Sequence, residues 1–201
     1  MADPSYINAA TGALTDGEAW VGIAHAALSL PAALVTFTST NDGQTGDFSQ
    51  YMDLICIVYA RAAAADGNAI LWVTFNNDTS ANYDHQELRS DGGTVAPASY
   101  TGGARADWGY LNANTATANV FGVSVAQVFD INSGKYKSWV AQSADDRDGS
   151  GYQNNLTGVW KSQAPITEID LINHHSGDWM AGSTFDLFGI LPSMLTTGTV
   201  A

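Results

Sequence analysis

Four groups of residues in this chain are of types that can do chemistry. The first is His174-His175, flanked by Asp170 and Asp178. Imidazoles and carboxylates are the usual zinc ligands. Adjacent residues on a strand point to opposite faces, however, so both histidines reach one ion only where the backbone turns between them. The second is Asp145-Asp146-Arg147-Asp148-Gly149, which has the flavour of a calcium loop. With Gly149 at the sixth position, Asp146 and Asp148 fall at positions three and five. Ala144 then stands where the opening ligand belongs, and Asn155 where a bidentate glutamate is needed. A solvated turn is the expected reading. The third is the pair Glu168 and Asp170, on one strand face about 7 Å apart, a spacing that glycoside hydrolysis can use. Nothing else in the sequence marks a cleft around them. The fourth is aromatic: Trp108, Tyr110 and Trp179 are candidates either for a sugar-stacking platform or for a subunit interface.

Other chemistries find no support. Cys56 is the only cysteine and lies inside Leu54-Ile55-Cys56-Ile57-Val58, as a small buried hydrophobe does. There is no Gly-x-Ser-x-Gly elbow, phosphate-binding glycine loop or His-Glu-x-x-His helix. The expectation is therefore a protein without catalysis, cofactor or required metal.

Charge narrows the partners. Seven Lys and Arg stand against 20 Asp and Glu, a net charge of −13. A nucleic-acid binder needs cations to displace phosphate counterions, so nucleic acid is excluded as a partner, and anionic membranes with it. Met1-Ala2-Asp3-Pro4-Ser5-Tyr6-Ile7 reads as no secretion signal, and no apolar run approaches the ~18 residues of a membrane helix. Synthesis and solubility in a host cytoplasm are expected.

The elements that must position these residues are strands. Met52–Ala60 and Ala69–Phe75 are apolar runs separated by Asp66-Gly67-Asn68, a hairpin signal. Ile70 and Trp72 face one way and Leu71, Val73 and Phe75 the other, which predicts a strand covered on both sides. Tyr83–Arg89 reads as a more exposed strand, and Ser90–Asn119 as a long functional loop. In Val120–Ile131, Phe121, Val123, Val125 and Phe129 share a face, which is assigned to the core. Asn132-Ser133-Gly134 turns the chain into Lys135–Ser143. Tyr152–Lys161, Ile166–Ile172 and Ser183–Ile190 complete the set, with Ala19–Ala24 as a first strand. Ala24–Leu34 is open between a short helix and a buried strand. Eight to ten strands without a long amphipathic helix predict an all-β protein, an antiparallel β-sandwich of jelly-roll type. Residues 1–18 read as an extended N-terminal arm, and 19–201 as a single domain.

The end of the chain carries a resemblance. Gly158-Val159-Trp160, Ala164-Pro165-Ile166-Thr167, the run to Ile172, and Gly182-Ser183-Thr184-Phe185-Asp186-Leu187-Phe188-Gly189-Ile190 form a layout similar to that of small β-sandwich structural proteins of tailed bacteriophages. It covers roughly Tyr51 to Ile190 and is a strand pattern. The resemblance implies a virion part: a capsid decoration (cement) protein on the major capsid protein lattice, generally a homotrimer, or alternatively a receptor- or carbohydrate-binding module of a fibre or tail. On the first reading, Tyr6, Ile7 and Leu14 are apolar anchors spaced along the polar arm and serve as candidate capsid-binding residues.

Overall fold

The structure, a computed structural model, describes residues 20–174 and 177–191. These form β1 (Trp20–Ala27), β2 (Leu34–Thr38), β3 (Asp53–Ala60), β4 (Asn68–Phe75), β5 (Tyr83–Ser90), β6 (Val95–Gly103), β7 (Ala106–Asn112), β8 (Gly122–Val128), β9 (Lys137–Asp146), β10 (Gly151–Trp160), β11 (Glu168–Asn173) and β12 (Thr184–Ile190). One 3₁₀ turn, Phe48–Gln50, is capped by the Asp47 carboxylate, which accepts from Ser49 N. Several turns use Asn or Asp in the left-handed region, among them Asn76 (φ 54°), Asp130 (φ 54°) and Asp148 (φ 69°). These side chains tolerate that backbone better than most.

The strands form two antiparallel sheets in the order β1-β12-β3-β8-β9-β10-β5-β6 and β2-β11-β4-β7. The pairing is nested: β1 lies beside β12, and β2 beside β11. The hairpins β5–β6 and β9–β10 widen the larger sheet. Between the sheets lies an all-β sandwich core. Trp108, Trp139, Trp160 and Trp179 are almost fully buried there. Phe75 packs against Trp160 at 5.5 Å and Trp108 at 6.2 Å. Two indole N–H groups find acceptors, Trp160 on Asp78 (2.7 Å) and Trp179 on the Leu171 carbonyl (3.1 Å).

Three expectations are corrected. First, Asp66-Gly67-Asn68 does not close a hairpin. β3 pairs with β12 and β8, whereas β4 pairs with β11 and β7 in the other sheet. β11 and β12, consecutive in the chain, likewise belong to different sheets. A turn signal reports a change of direction and does not reveal whether the chain crosses between layers. Second, Ser90–Asn119 contains β6 and β7. β6 is an edge strand, which is where Pro97 can sit without removing a ladder hydrogen bond from a neighbour.

Third, β8 presents the opposite face to the core. Gly122, Ser124, Ala126 and Val128 are buried, while Val123 and Val125 are each 45% exposed and Phe129 is 37% exposed. The reason is steric. β7 crosses so close beneath β8 that a Cβ on Gly122 would stand 2.7 Å from Leu111 Cα. Ser124 Oγ donates to the Trp108 carbonyl at 2.8 Å. The large side chains filling this part of the core come from β7, so β8 must turn its small residues inward. Elsewhere Ile55, Val73, Phe75, Ile169, Leu171, Phe185 and Leu187 are buried. Ile57, Ile70, Trp72 and Phe121 are only half-buried.

Candidate functional site

β7 is irregular where it matters most. Opposite β4 its register shifts: Ile70 pairs with Tyr110, while Trp72 pairs with Asp107. Trp108 and Gly109 together oppose the single residue Leu71, one more than a regular ladder holds, and Gly109 stands at φ 95°. Asp107 Oδ1 accepts from Gly109 N at 2.8 Å and fixes the bulge. Residues three apart on a regular strand point to opposite faces, and a bulge removes that constraint. Asp107 and Tyr110 thus line one cleft, together with Trp72 from β4, His85 and Glu87 from β5, Tyr100 from β6, and Arg105. The cleft encloses about 300 Å³.

Its polar groups are unusual for their burial. Glu87 is 6% exposed and Asp107 7%. Glu87 Oε1, His85 Nε2 and Arg105 Nε have no hydrogen-bond partner among the described residues. Arg89 Nη1 lies 4.0 Å from Glu87, beyond hydrogen-bond reach, and donates instead to the Tyr110 hydroxyl at 2.7 Å. Burial pushes the Asp107 carboxyl up to about 7, with the nearby Glu87 charge adding to the shift. Burial also raises Glu87, partly offset by Arg89, and lowers His85. Each of these three groups is biased toward its neutral form. Aromatic walls complete the cleft: the Tyr100 ring is 4.6 Å from that of His85, and the Arg105 guanidinium sits 4.9 Å over Trp72.

A second feature is the outer face of β1-β12-β3-β8. Register places Trp20 beside Ile190, Phe188 beside Ile55, Ile57 beside Val125, and Tyr59 beside Val123, all pointing away from the core. Tyr59 stacks on Phe121 at 5.2 Å, and Trp20 lies 6.3 Å from Phe188. Ile55 is only 3% exposed without belonging to the core cluster. Titratable Asp or His residues of these strands on this face are accounted for: Asp186 pairs with His25 at 2.6 Å, and Asp53 accepts from Gln127 and from Asp130 N.

No protein-family model and no curated protein matches this chain.

The residues singled out from sequence are placed as follows. Trp108 and Trp179 are packed inside the sandwich, so within this chain they hold the core together and offer no face to a ligand. Tyr110 alone of the three reaches the cleft. Asp170 accepts from Thr36 (2.6 Å) and Thr74 (3.0 Å), and Glu168 from Asn77 and Thr38, so both carboxylates serve cross-strand hydrogen bonds. Asp146 Oδ1 accepts from Asp148 N and Gly149 N and so shapes the β9–β10 turn. His174 meets the Trp72 ring edge-on at 3.9 Å. Cys56 is buried, and burial pushes its thiol up. Tyr6, Ile7, Leu14 and His175 lie outside the described residues. Sequence reasoning missed His85, Glu87 and Arg89, although three titratable residues at spacing two on one strand face were a readable signal.

Proposed function

We propose that the chain is a bacteriophage capsid decoration protein: a homotrimer that binds the outer surface of the major capsid protein lattice and stabilises the head. The observation that carries this reading is the apolar outer face of β1-β12-β3-β8. Contiguous exposed apolar surface of this kind marks an interaction site. Its occupant is a second copy of the chain. At a net charge of −13, two copies repel wherever acidic surfaces meet. This face carries Asp186 already paired with His25, and Asp53 already held by hydrogen bonds, so it is a place where like copies can meet. The resemblance to phage virion proteins supplies the number three. The nested pairing of β1 with β12 and of β2 with β11 is in keeping with a jelly roll.

On this reading the acidic remainder of the surface is left for the shell, where a basic rim attracts it in a salt-sensitive way. Tyr6, Ile7 and Leu14 add apolar anchors. A ligand that binds only the assembled state stabilises it by mass action, which is how a decoration protein resists internal DNA pressure. The test is co-sedimentation of the purified chain with undecorated shells. Saturable binding that weakens with salt, and much weaker binding after deletion of residues 2–15, is expected. Absence of binding to shells at low salt contradicts the proposal.

A further inference from the structure

The cleft around Glu87 has properties that self-association and shell binding do not use. We propose that it binds a neutral, hydroxyl-rich ligand, a single sugar unit of a glycan. This inference rests on the cleft alone and is independent of where on a particle the protein sits.

The argument is one of elimination by charge, followed by complementarity. An anionic ligand could enter only with Glu87 and Asp107 both protonated, since each is more than nine-tenths buried and Asp107, raised only to about 7, is partly ionised at neutral pH. A cationic ligand would meet Arg105 and, behind Tyr110, Arg89. A neutral ligand meets neither obstacle. Among the described residues both kinds of hydrogen-bonding capacity are left open: an acceptor at Glu87 Oε1, a donor at Arg105 Nε, and at His85 Nε2 either role. A buried polar atom without a partner is costly, so these atoms are poised for a ligand or water that satisfies them. The hydroxyl group is the common neutral group that donates to a carboxylate and accepts from a guanidinium at once. The walls fit the same ligand. Tyr100 is 52% exposed, and its ring flanks the cleft beside His85. An aromatic face covers the C–H face of a sugar ring while its hydroxyls turn to the polar groups. The volume of about 300 Å³ lies at the small end of ligand sites and suits a single unit better than a long polymer segment.

The experiment is saturation-transfer NMR on the full chain. Glucose, galactose and N-acetylglucosamine are the neutral probes, with glucosamine and glucuronate as charged counterparts, each at millimolar concentration. At least one neutral sugar is expected to bind, more tightly than either charged one. Tyr100→Ala, which removes an exposed ring, and Glu87→Leu, which removes the open acceptor while keeping volume, are each expected to weaken binding by about tenfold or more. The Tyr100→Ala melting temperature should be that of the parent chain. The proposal is overturned if none of the three neutral sugars binds, if a charged sugar binds tighter, or if Tyr100→Ala binds as the parent does.

Discussion

Asp107 Oδ2 lies 3.9 Å from His85 Nε2, and burial moves the two groups away from an ion pair: the carboxyl is raised to about 7 and the imidazole lowered. Folded Asp107 therefore holds a proton that the unfolded chain releases near 3.8. Stability tied to that proton is complete below the unfolded value and is lost as pH rises through about 7. His85 acts oppositely, its contribution being present above 6.5 and lost as pH falls through its lower folded value. Asp107→Asn should remove a stability slope of up to about 1.4 kcal/mol per pH unit between mildly acidic and neutral pH. Urea unfolding across that range, parent against variant, measures it. Asp145, raised to about 6 by burial, leaves a residual slope of the same sign. Parallel curves for parent and variant would refute the assignment.

Arg61 organises the chain between β7 and β8. Its guanidinium donates to the carbonyls of Asn114, Ala116, Thr117 and Val120 at 2.6–3.1 Å. Arg61→Met keeps the aliphatic stem and strips donors from four carbonyls. A loss of about 2–4 kcal/mol is expected in denaturant unfolding. A loss below about 1 kcal/mol would show that water replaces the guanidinium without cost.

Gly109 sets the bulge that brings Asp107 and Tyr110 together. An added Cβ would stand 1.9 Å from Ser143 Oγ, at φ 95°. Gly109→Ala should cost about 2–4 kcal/mol, through both overpacking and backbone strain. Thermal melting reads this directly, and an unchanged midpoint would mean that β7 can relax into regular pairing.

The outer sheet face predicts a separable oligomer. Tyr59→Asp and Val125→Asp place an unpaired charge in the proposed contact. Each should raise the dissociation constant by about a hundredfold or more, with melting of the released monomer still cooperative. Val95→Asp, on the far edge strand β6, should leave the assembly unchanged. Light scattering distinguishes these cases. A parent chain that is monomeric at micromolar concentration would remove the contact from consideration.

What the sequence could and could not disclose follows from these same residues. β3, β4, β9, β10 and β12 are written as β-branched or alternating runs between turn residues, and the sandwich class is legible from them. β6 is poor in strand formers, and in β7 the bulge at Gly109 breaks the period of two, so both read as loop. In β8 two faces alternate equally well, Gly-Ser-Ala-Val against Phe-Val-Val. Hydrophobicity selects the wrong one because the core volume there is already taken by Trp108 and Leu111. The cleft draws on β4, β5, β6 and β7, and no local pattern announces residues that meet only through a register shift. The large rings that make Trp108 and Trp179 conspicuous in sequence are what places them in the core, away from the surface.

The most direct measurement is the copy number of this chain in purified particles, by quantitative gel densitometry against the major capsid protein. A decoration protein is present in proportion to the shell lattice, at a fixed ratio to the major capsid protein. A count in the tens or lower, as for a tail or fibre component, would contradict the decoration assignment.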